Sequence, residues 1–386
     1  MTHPHARELS TAELVSALLV GTVGVLMVGV QPIVLGALVD AHQVTLEGVG
    51  LVAMGEIIAL GLGVALGDIL LPVTHVPRVT LWAALSAAAL NLLSTTCSGD
   101  VALLAMRALT GLAEGGLVWG TTAVVVRSAN PPRMGAVYFV AQTLAQALLG
   151  AVLAHGVIPA WGWPGAFQVL AITCLMAAVL AWWQPRHLKP LAPATLSGFE
   201  WTTSSVLPLA AVFCQLATLG AFWAYLEPMG QAVGLDAQAA QSLVSVVLVM
   251  QVLGGALSTL LVRRLPPLTV LMWASVILGS VVLYIQHLHP GETQGFVVAC
   301  AVFGLVWLFM LPFHIGLALR ADPSGRLASL VPAAQLLGSA MGPLVASVVV
   351  VGEDASAVPW VSSGFAVVTC VLLGAWKLRA PSAPGN

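Results

Sequence analysis

The sequence predicts an all-α membrane protein: twelve transmembrane helices in two pseudo-symmetric six-helix bundles. Three observations carry this reading. Charged residues make up only 7% of the 386 positions and hydrophobic ones 59%. A soluble domain carries about 25% charged residues, so a chain this poor in charge takes lipid as the solvent for most of its surface. Apolar runs of spanning length recur along the whole chain, and the basic residues gather on alternate connections between them.

A bilayer core about 30 Å thick needs about 20 apolar residues in helical form. Backbone groups in hydrocarbon must be bonded within their own segment, which selects helices over open strands. Helices are therefore expected at about 14–38, 47–71, 78–97, 101–126, 134–156, 165–183, 205–228, 237–262, 267–287, 294–319, 327–351 and 358–376. With both termini cytoplasmic, twelve of the thirteen Lys and Arg residues fall in cytoplasmic connections or at helix ends beside them. The exception is Arg107. The opposite connections carry acids: Asp40, Asp100, Glu292, Glu353 and Asp354. Positive residues stay on the cytoplasmic side during insertion, so a multi-pass protein of the inner (cytoplasmic) membrane is expected. The first helix is expected to double as an uncleaved insertion signal, because residues 1–10 are short and polar.

The longest non-helical stretch runs from Gln184 to Ser204 and holds Pro185, Pro190 and Pro193. It separates an N-terminal bundle, 1–183, from a C-terminal bundle, 205–386. At an offset of 191, Thr45 meets Asp236, each a candidate helix N-cap, and Gly63 meets Gly254. At 193, Arg127 and Arg133 meet Arg320 and Arg326, and Gln142 meets Gln335. Matches at nearly one offset suggest a parallel repeat, which places a binding site between the halves near mid-membrane.

Other classes are excluded or unsupported. A net charge of -2 offers no phosphate-tracking surface for nucleic acid. Five widely spaced cysteines read as free thiols rather than a disulfide framework or a zinc site. Phosphate-binding G-x-x-x-x-G-K, H-E-x-x-H and G-x-S-x-G signatures are missing. No enzymatic activity, cofactor or metal is expected. The expected partners are a small-molecule substrate, protons and the lipid bilayer, with the chain acting as a monomer.

Arg107-Ala-Leu-Thr-Gly111-Leu-Ala-Glu-Gly115, on the fourth helix, resembles the R-x-x-x-G-x-x-x-G pattern of the major facilitator superfamily, which that family associates with proton coupling. Gly162-Trp-Pro-Gly-Ala166-Phe167 is similar to its G-W-R-W-A-F, with the Arg lost. The loop between helices two and three departs from the family's charged motif and reads Pro72-Val-Thr-His75-Val-Pro77-Arg78. The fifth helix lacks the Gly-Pro ending of many exporters; Gly338-x-x-x-Gly342-Pro343 lies on the eleventh instead. The resemblance implies the major facilitator fold and alternating access, with the first, fourth, seventh and tenth helices lining a central path.

Ionisable residues inside a bilayer cost about 2.5–3.5 kcal/mol each on insertion scales and are functional candidates by default. Arg107 and Glu114 are two turns apart on one helical face with Gly111 between them. Glu114, with Arg107 adjusting it, is the candidate proton carrier; the alternative is a lasting ion pair that fixes packing. Glu56, on the second helix, is a second proton site or substrate anchor, or else a hydrogen bond between helices. Glu227 precedes Pro228, which frees the helix to kink. It suits a gate or a contact to a cationic substrate; alternatively, with Trp223 and Tyr225, it belongs to an interfacial belt. Gln31, Trp119, Trp307 and His314 lie on cavity-lining helices by the resemblance, and Gln142 and Gln335 are repeat-related; packing is the competing reading for each. The expected function is proton-coupled export of a small organic solute by antiport. A proton symporter importing a metabolite and a transport-inactive sensor or scaffold on the same fold stay open beside it.

Overall fold

The computed structural model describes residues 9–186, 188, 202–322 and 325–379. The expected linker, 184–204, lies largely outside them. The first span is broken into α1 (Thr11–Val23) and α2 (Leu26–Asp40). Spans two to six are α3 (Leu46–Leu70), α4 (Val76–Ser94), α5 (Asp100–Val125), α6 (Pro131–Val152) and α7 (Ile158–Leu180). The seventh is again broken, into α8 (Thr203–Ala224) and α9 (Leu226–Ala232). Spans eight to twelve are α10 (Ala237–Leu261), α11 (Pro267–Gln286), α12 (Thr293–Ala321), α13 (Arg326–Val349) and α14 (Val358–Arg379). The fold is that of twelve spans in two six-helix bundles, as the sequence predicts.

Local chemistry sets the helix starts. Ser10 and Glu13 form a reciprocal capping box at α1. Thr45 and Asp236, the repeat-related caps, accept from the amides of Gly48 (2.9 Å) and Ala239 (2.7 Å). Pro131 and Pro267 open α6 and α11, where the missing amide costs nothing.

The fifth and sixth spans share one apolar stretch of 51 residues, Arg133–Trp183. As a single helix it would measure about 76 Å, far beyond a bilayer. The chain instead reverses at Gly162, whose φ of 66° and ψ of -168° a glycine adopts without a Cβ penalty. The loop expected between 156 and 165 is thus compressed to essentially this one residue. A π-helical turn, Leu153–Val157, leads into it.

In each bundle one helix pair packs most closely, α3 with α5 and α8 with α13. Across the bundles, α3 packs on α13 and α6 on α10. Twelve crossings bring Thr11 and Arg379 to one face, here the terminal face; the other is the far face. The hydrogen bonds that join the bundles lie in the far half. The Gly50 amide donates to Tyr225 Oη (3.1 Å) and Trp223 Nε1 to the Val28 carbonyl (3.2 Å). Gln231 Nε2 reaches both Asp40 carboxylate oxygens (3.1 and 3.2 Å), and the Gly352 amide donates to Glu47 (3.0 Å). His155 meets Gln238 (3.3 Å) and Ser242 (3.2 Å). The far face is therefore closed.

Candidate functional site

The R-x-x-x-G-x-x-x-G face of α5 packs directly on α3. A Cβ at Gly111 would meet the Glu56 carbonyl group, and one at Gly115 would meet the Leu60 carbonyl and the Gly63 backbone. Small residues at these positions let two helix backbones touch. That close approach carries Arg107 to Glu56, so the glycines and the charges form one device. The resemblance put this face on the transport path; in this state it is buried inside the N-terminal bundle.

There Arg107 Nη2 donates to Glu56 Oε1 in a close ion pair and lies 3.8 Å from Glu114 Oε1. Its Nη1 donates to Asn91 Oδ1 of α4 (2.8 Å), and Asn91 Nδ2 is spent on the Ala87 carbonyl (3.0 Å). The guanidinium also lies over the Phe167 ring of α7, 5.5 Å from its centroid. All three charged side chains are buried. Four helices thus converge on one cation and two carboxyl groups. Glu56 Oε2, Glu114 Oε2 and Arg107 Nε have no hydrogen-bond partner among the described residues. With all three ionised the cluster carries one net negative charge, and a single proton makes it neutral. Asn91 escaped the sequence reading, although a lone amide in an apolar run is a detectable signal.

The cluster touches the break in the first span. A Cβ at Gly24 would lie 3.0 Å from the Glu114 carbonyl oxygen and 3.1 Å from Leu117. At that break Val25 leaves helical geometry (φ -122°, ψ 5°), and side chains from elsewhere reach its carbonyls. Tyr138 Oη donates to Gly21 O (2.9 Å) and Gln146 Nε2 to Val25 O (2.7 Å). Gln146, which the sequence analysis did not single out, is the polar anchor at this break. Gln142 is half-buried and makes no side-chain hydrogen bond among the described residues.

The seventh span breaks at Tyr225 (φ -107°, ψ 8°). The interfacial-belt reading of Trp223, Tyr225 and Glu227 fails here, because all three are buried, at 4%, 0% and 1% exposure. They form the bundle contact at the far face instead. Glu227 Oε1 accepts from Gln231 Nε2 (2.7 Å), the same nitrogen that reaches Asp40. Its carboxylate is seated on Gly36 of α2, where any Cβ would collide with it, and Oε2 has no hydrogen-bond partner among the described residues. A 910 Å³ vestibule opens beside it toward the far face, lined also by Asp40, Glu47, Asp100 and Glu353.

Trp223 packs edge-on against Trp307 at 5.3 Å, and Trp307 against Phe303 at 5.9 Å, an aromatic wall in the C-terminal bundle. His314 is buried with both ring nitrogens engaged: Nε2 on Gln215 Oε1 (2.8 Å) and Nδ1 on Gln335 Nε2 (3.0 Å). Gln215 in turn donates to Ser275 Oγ (2.8 Å). An amide nitrogen only donates, so Nδ1 accepts and Nε2 carries the hydrogen. The chain cross-links four spans. Gln31 is buried and donates to the Ala53 carbonyl (3.4 Å). Trp119 stands apart from these clusters, buried with Ala17, Val76 and Val124 toward the terminal face and packed on Gly67.

The sequence model of the Major Facilitator Superfamily matches residues 14–329. No curated protein sequence matches the chain. Among solved structures, a crystal structure of a point mutant of the nucleoside transporter NupG superposes with a TM-score of 0.68. It covers 94% of this chain and 99% of its own at 15% identity, a likeness of fold. A match over most of the length, with two bundles closed at one face around broken first and seventh spans, has one meaning: the chain is a multi-pass membrane transporter that belongs to the Major Facilitator Superfamily.

Proposed function

We propose that the protein is a proton-coupled secondary transporter that exports a small organic solute by antiport across the inner membrane. The bundles 1–183 and 205–386 rock as units, a monomer carries out the cycle, and both termini and the linker 184–204 face the cytoplasm. The positive residues at the terminal face support that orientation.

The Glu56–Arg107–Glu114 cluster carries the proposal. A buried charge without compensation is costly, and this cluster balances with one proton. Arg107 is held closely by Glu56 and lies farther from Glu114, so Glu114 is the carboxyl that takes up and releases the proton. Its backbone lies on the break of the first span, which gives a change of charge a mechanical path to a cavity-lining helix. Discontinuous helices of this kind form transporter binding sites. Glu227, seated on Gly36 across the bundle boundary, is the acid uncovered when the far face opens. It is placed to meet a cationic or neutral solute.

The test compares cells and medium by untargeted metabolite profiling, wild type against Glu114→Gln at equal expression. A compound moved into the medium by wild type alone supports export and names the substrate class. Wild-type depletion of a compound from the medium replaces antiport by symport. Full gradient-driven transport by Glu114→Gln overturns the proton assignment.

A further inference from the structure

One cavity is used by neither the proton cluster nor the far-face contacts. It measures 620 Å³ and lies on the terminal face of the N-terminal bundle, between the α3–α4 connection and the end of the sixth span. Thr74, His75, Arg78, Leu81, Trp182 and Arg186 line it. Two guanidinium groups and an imidazole thus converge from two separate parts of the chain, and among the described residues no acid lines the cavity. Among the described residues neither Arg78 nor Arg186 has an ion-pair partner.

The arrangement is built into the fold. Thr80, buried on α4, donates its hydroxyl to Gln184 Oε1 (2.8 Å), and Gln184 is itself buried. This bond ties the end of the sixth span to α4 and so brings Arg186 to the cavity that Arg78 lines. Two like charges lining one cavity, with no acid among the described lining residues, attract an anion, and a guanidinium offers a fork that matches phosphate oxygens.

The cavity also lies at the edge of the bilayer. Trp182 stands on its lip, 73% exposed, where an indole sits at headgroup level. Below it the lipid-facing surface continues through Trp82, 68% exposed, and Leu85. We propose that this cavity binds the phosphate headgroup of an anionic phospholipid, with the acyl chains lying along the Trp82–Leu85 surface. Basic pockets at the cytoplasmic ends of transmembrane helices suit such headgroups. A soluble phosphate compound shares the headgroup chemistry but leaves the apolar lip without a role.

Native mass spectrometry of the full chain distinguishes the outcomes, with phosphatidylglycerol and phosphatidylcholine as probes. Wild type is expected to retain phosphatidylglycerol over phosphatidylcholine. Arg78→Gln/Arg186→Gln should lose about tenfold of that retention, the scale of one or two charge-assisted hydrogen bonds. Arg263→Gln/Arg264→Gln removes the same charge from the same face, away from this cavity, and should leave retention unchanged. The single variant Arg186→Gln, at an exposed position, carries the test with a several-fold loss if the double variant does not fold. Equal loss in the control pair, or no loss in the Arg78 and Arg186 variants, overturns the site. Displacement of the lipid by millimolar inorganic phosphate reassigns it to a soluble anion and overturns the lipid proposal.

Discussion

Gly115→Ala tests whether close packing of α3 on α5 sustains the buried charge cluster. The added Cβ would lie 2.7 Å from Gly63 Cα and 2.9 Å from its carbonyl carbon, besides meeting the Leu60 carbonyl oxygen. Carbon atoms settle at about 3.5–4.0 Å, so the helices must part by about 1 Å on this side. The obstructing atoms are backbone, and no rotamer change relieves them. Overpacking of this kind costs about 1–3 kcal/mol; the better helix propensity of alanine returns up to about 1 kcal/mol. A net loss of about 1–2 kcal/mol is expected, with Arg107 drawn away from Glu56. The assays are the thermal half-life of monodisperse protein in detergent and gradient-driven transport of the compound identified by profiling. Gly135→Ala makes the same chemical change where nothing lies within 4 Å and should leave both readouts at or above wild type. If Gly115→Ala behaves like Gly135→Ala in both, the packing argument is wrong.

Arg107→Met strands two buried carboxyl groups, and breaking a buried pair costs about 3–5 kcal/mol. Its thermal half-life should collapse and recover substantially in Arg107→Met/Glu56→Gln; failure to recover would mean that the charges are not what destabilises it. Tyr225→Phe removes the Gly50 hydrogen bond across the bundles, about 0.5–1.5 kcal/mol, and should shift the population up to about tenfold toward a far-face-open state. Spin-label distances between the far ends of α3 and α13 read this directly, and an unchanged distribution would remove Tyr225 from the gate. His314→Leu leaves Gln215 Oε1 and Gln335 Nε2 without their partner, about 1–3 kcal/mol for each stranded group. A lower thermal midpoint with His314→Leu than with Trp119→Phe is expected, and the reverse order would refute the cross-link.

The spans were legible because lipid demands long apolar runs, and the four intramembrane charges because they interrupt those runs. The pairing was less so. Nothing in one dimension says that Glu56 of α3, rather than Glu114 two turns away on the same helix, takes the close bond from Arg107. That follows from the backbone contact at Gly111. Gln142 stood out in the sequence because it had a repeat-related counterpart and Gln146 did not stand out at all, whereas a hydrogen bond answers to where carbonyls lie within reach, here at the break beside Gly24. Aromatic, acid and proline in sequence read equally well as a membrane-surface belt and as a gate or substrate contact. The buried contact between bundles was not legible there, because it depends on the partner helix α2, with Gly36 under Glu227. Likewise Arg78 and Arg186 read as topology signals in the sequence, and their convergence depends on a buried Thr80–Gln184 bond between distant segments.

The reversal at Gly162 bears on how the protein is made. Between Arg133 and Trp183 there is no polar loop for the insertion machinery to hold on the far side, so the fifth and sixth spans must enter the bilayer together as a hairpin. The tip of that hairpin is Trp161-Gly162-Trp163-Pro164: one exposed indole, Trp161, to anchor it at the interface, a second, Trp163, packed edge-on against Phe167, one glycine to fold it and one proline to deter a continuous helix. Epitope insertion or side-specific labelling aimed at this connection has almost no chain to work with, and a bulky replacement of Gly162 threatens biogenesis before it reaches transport.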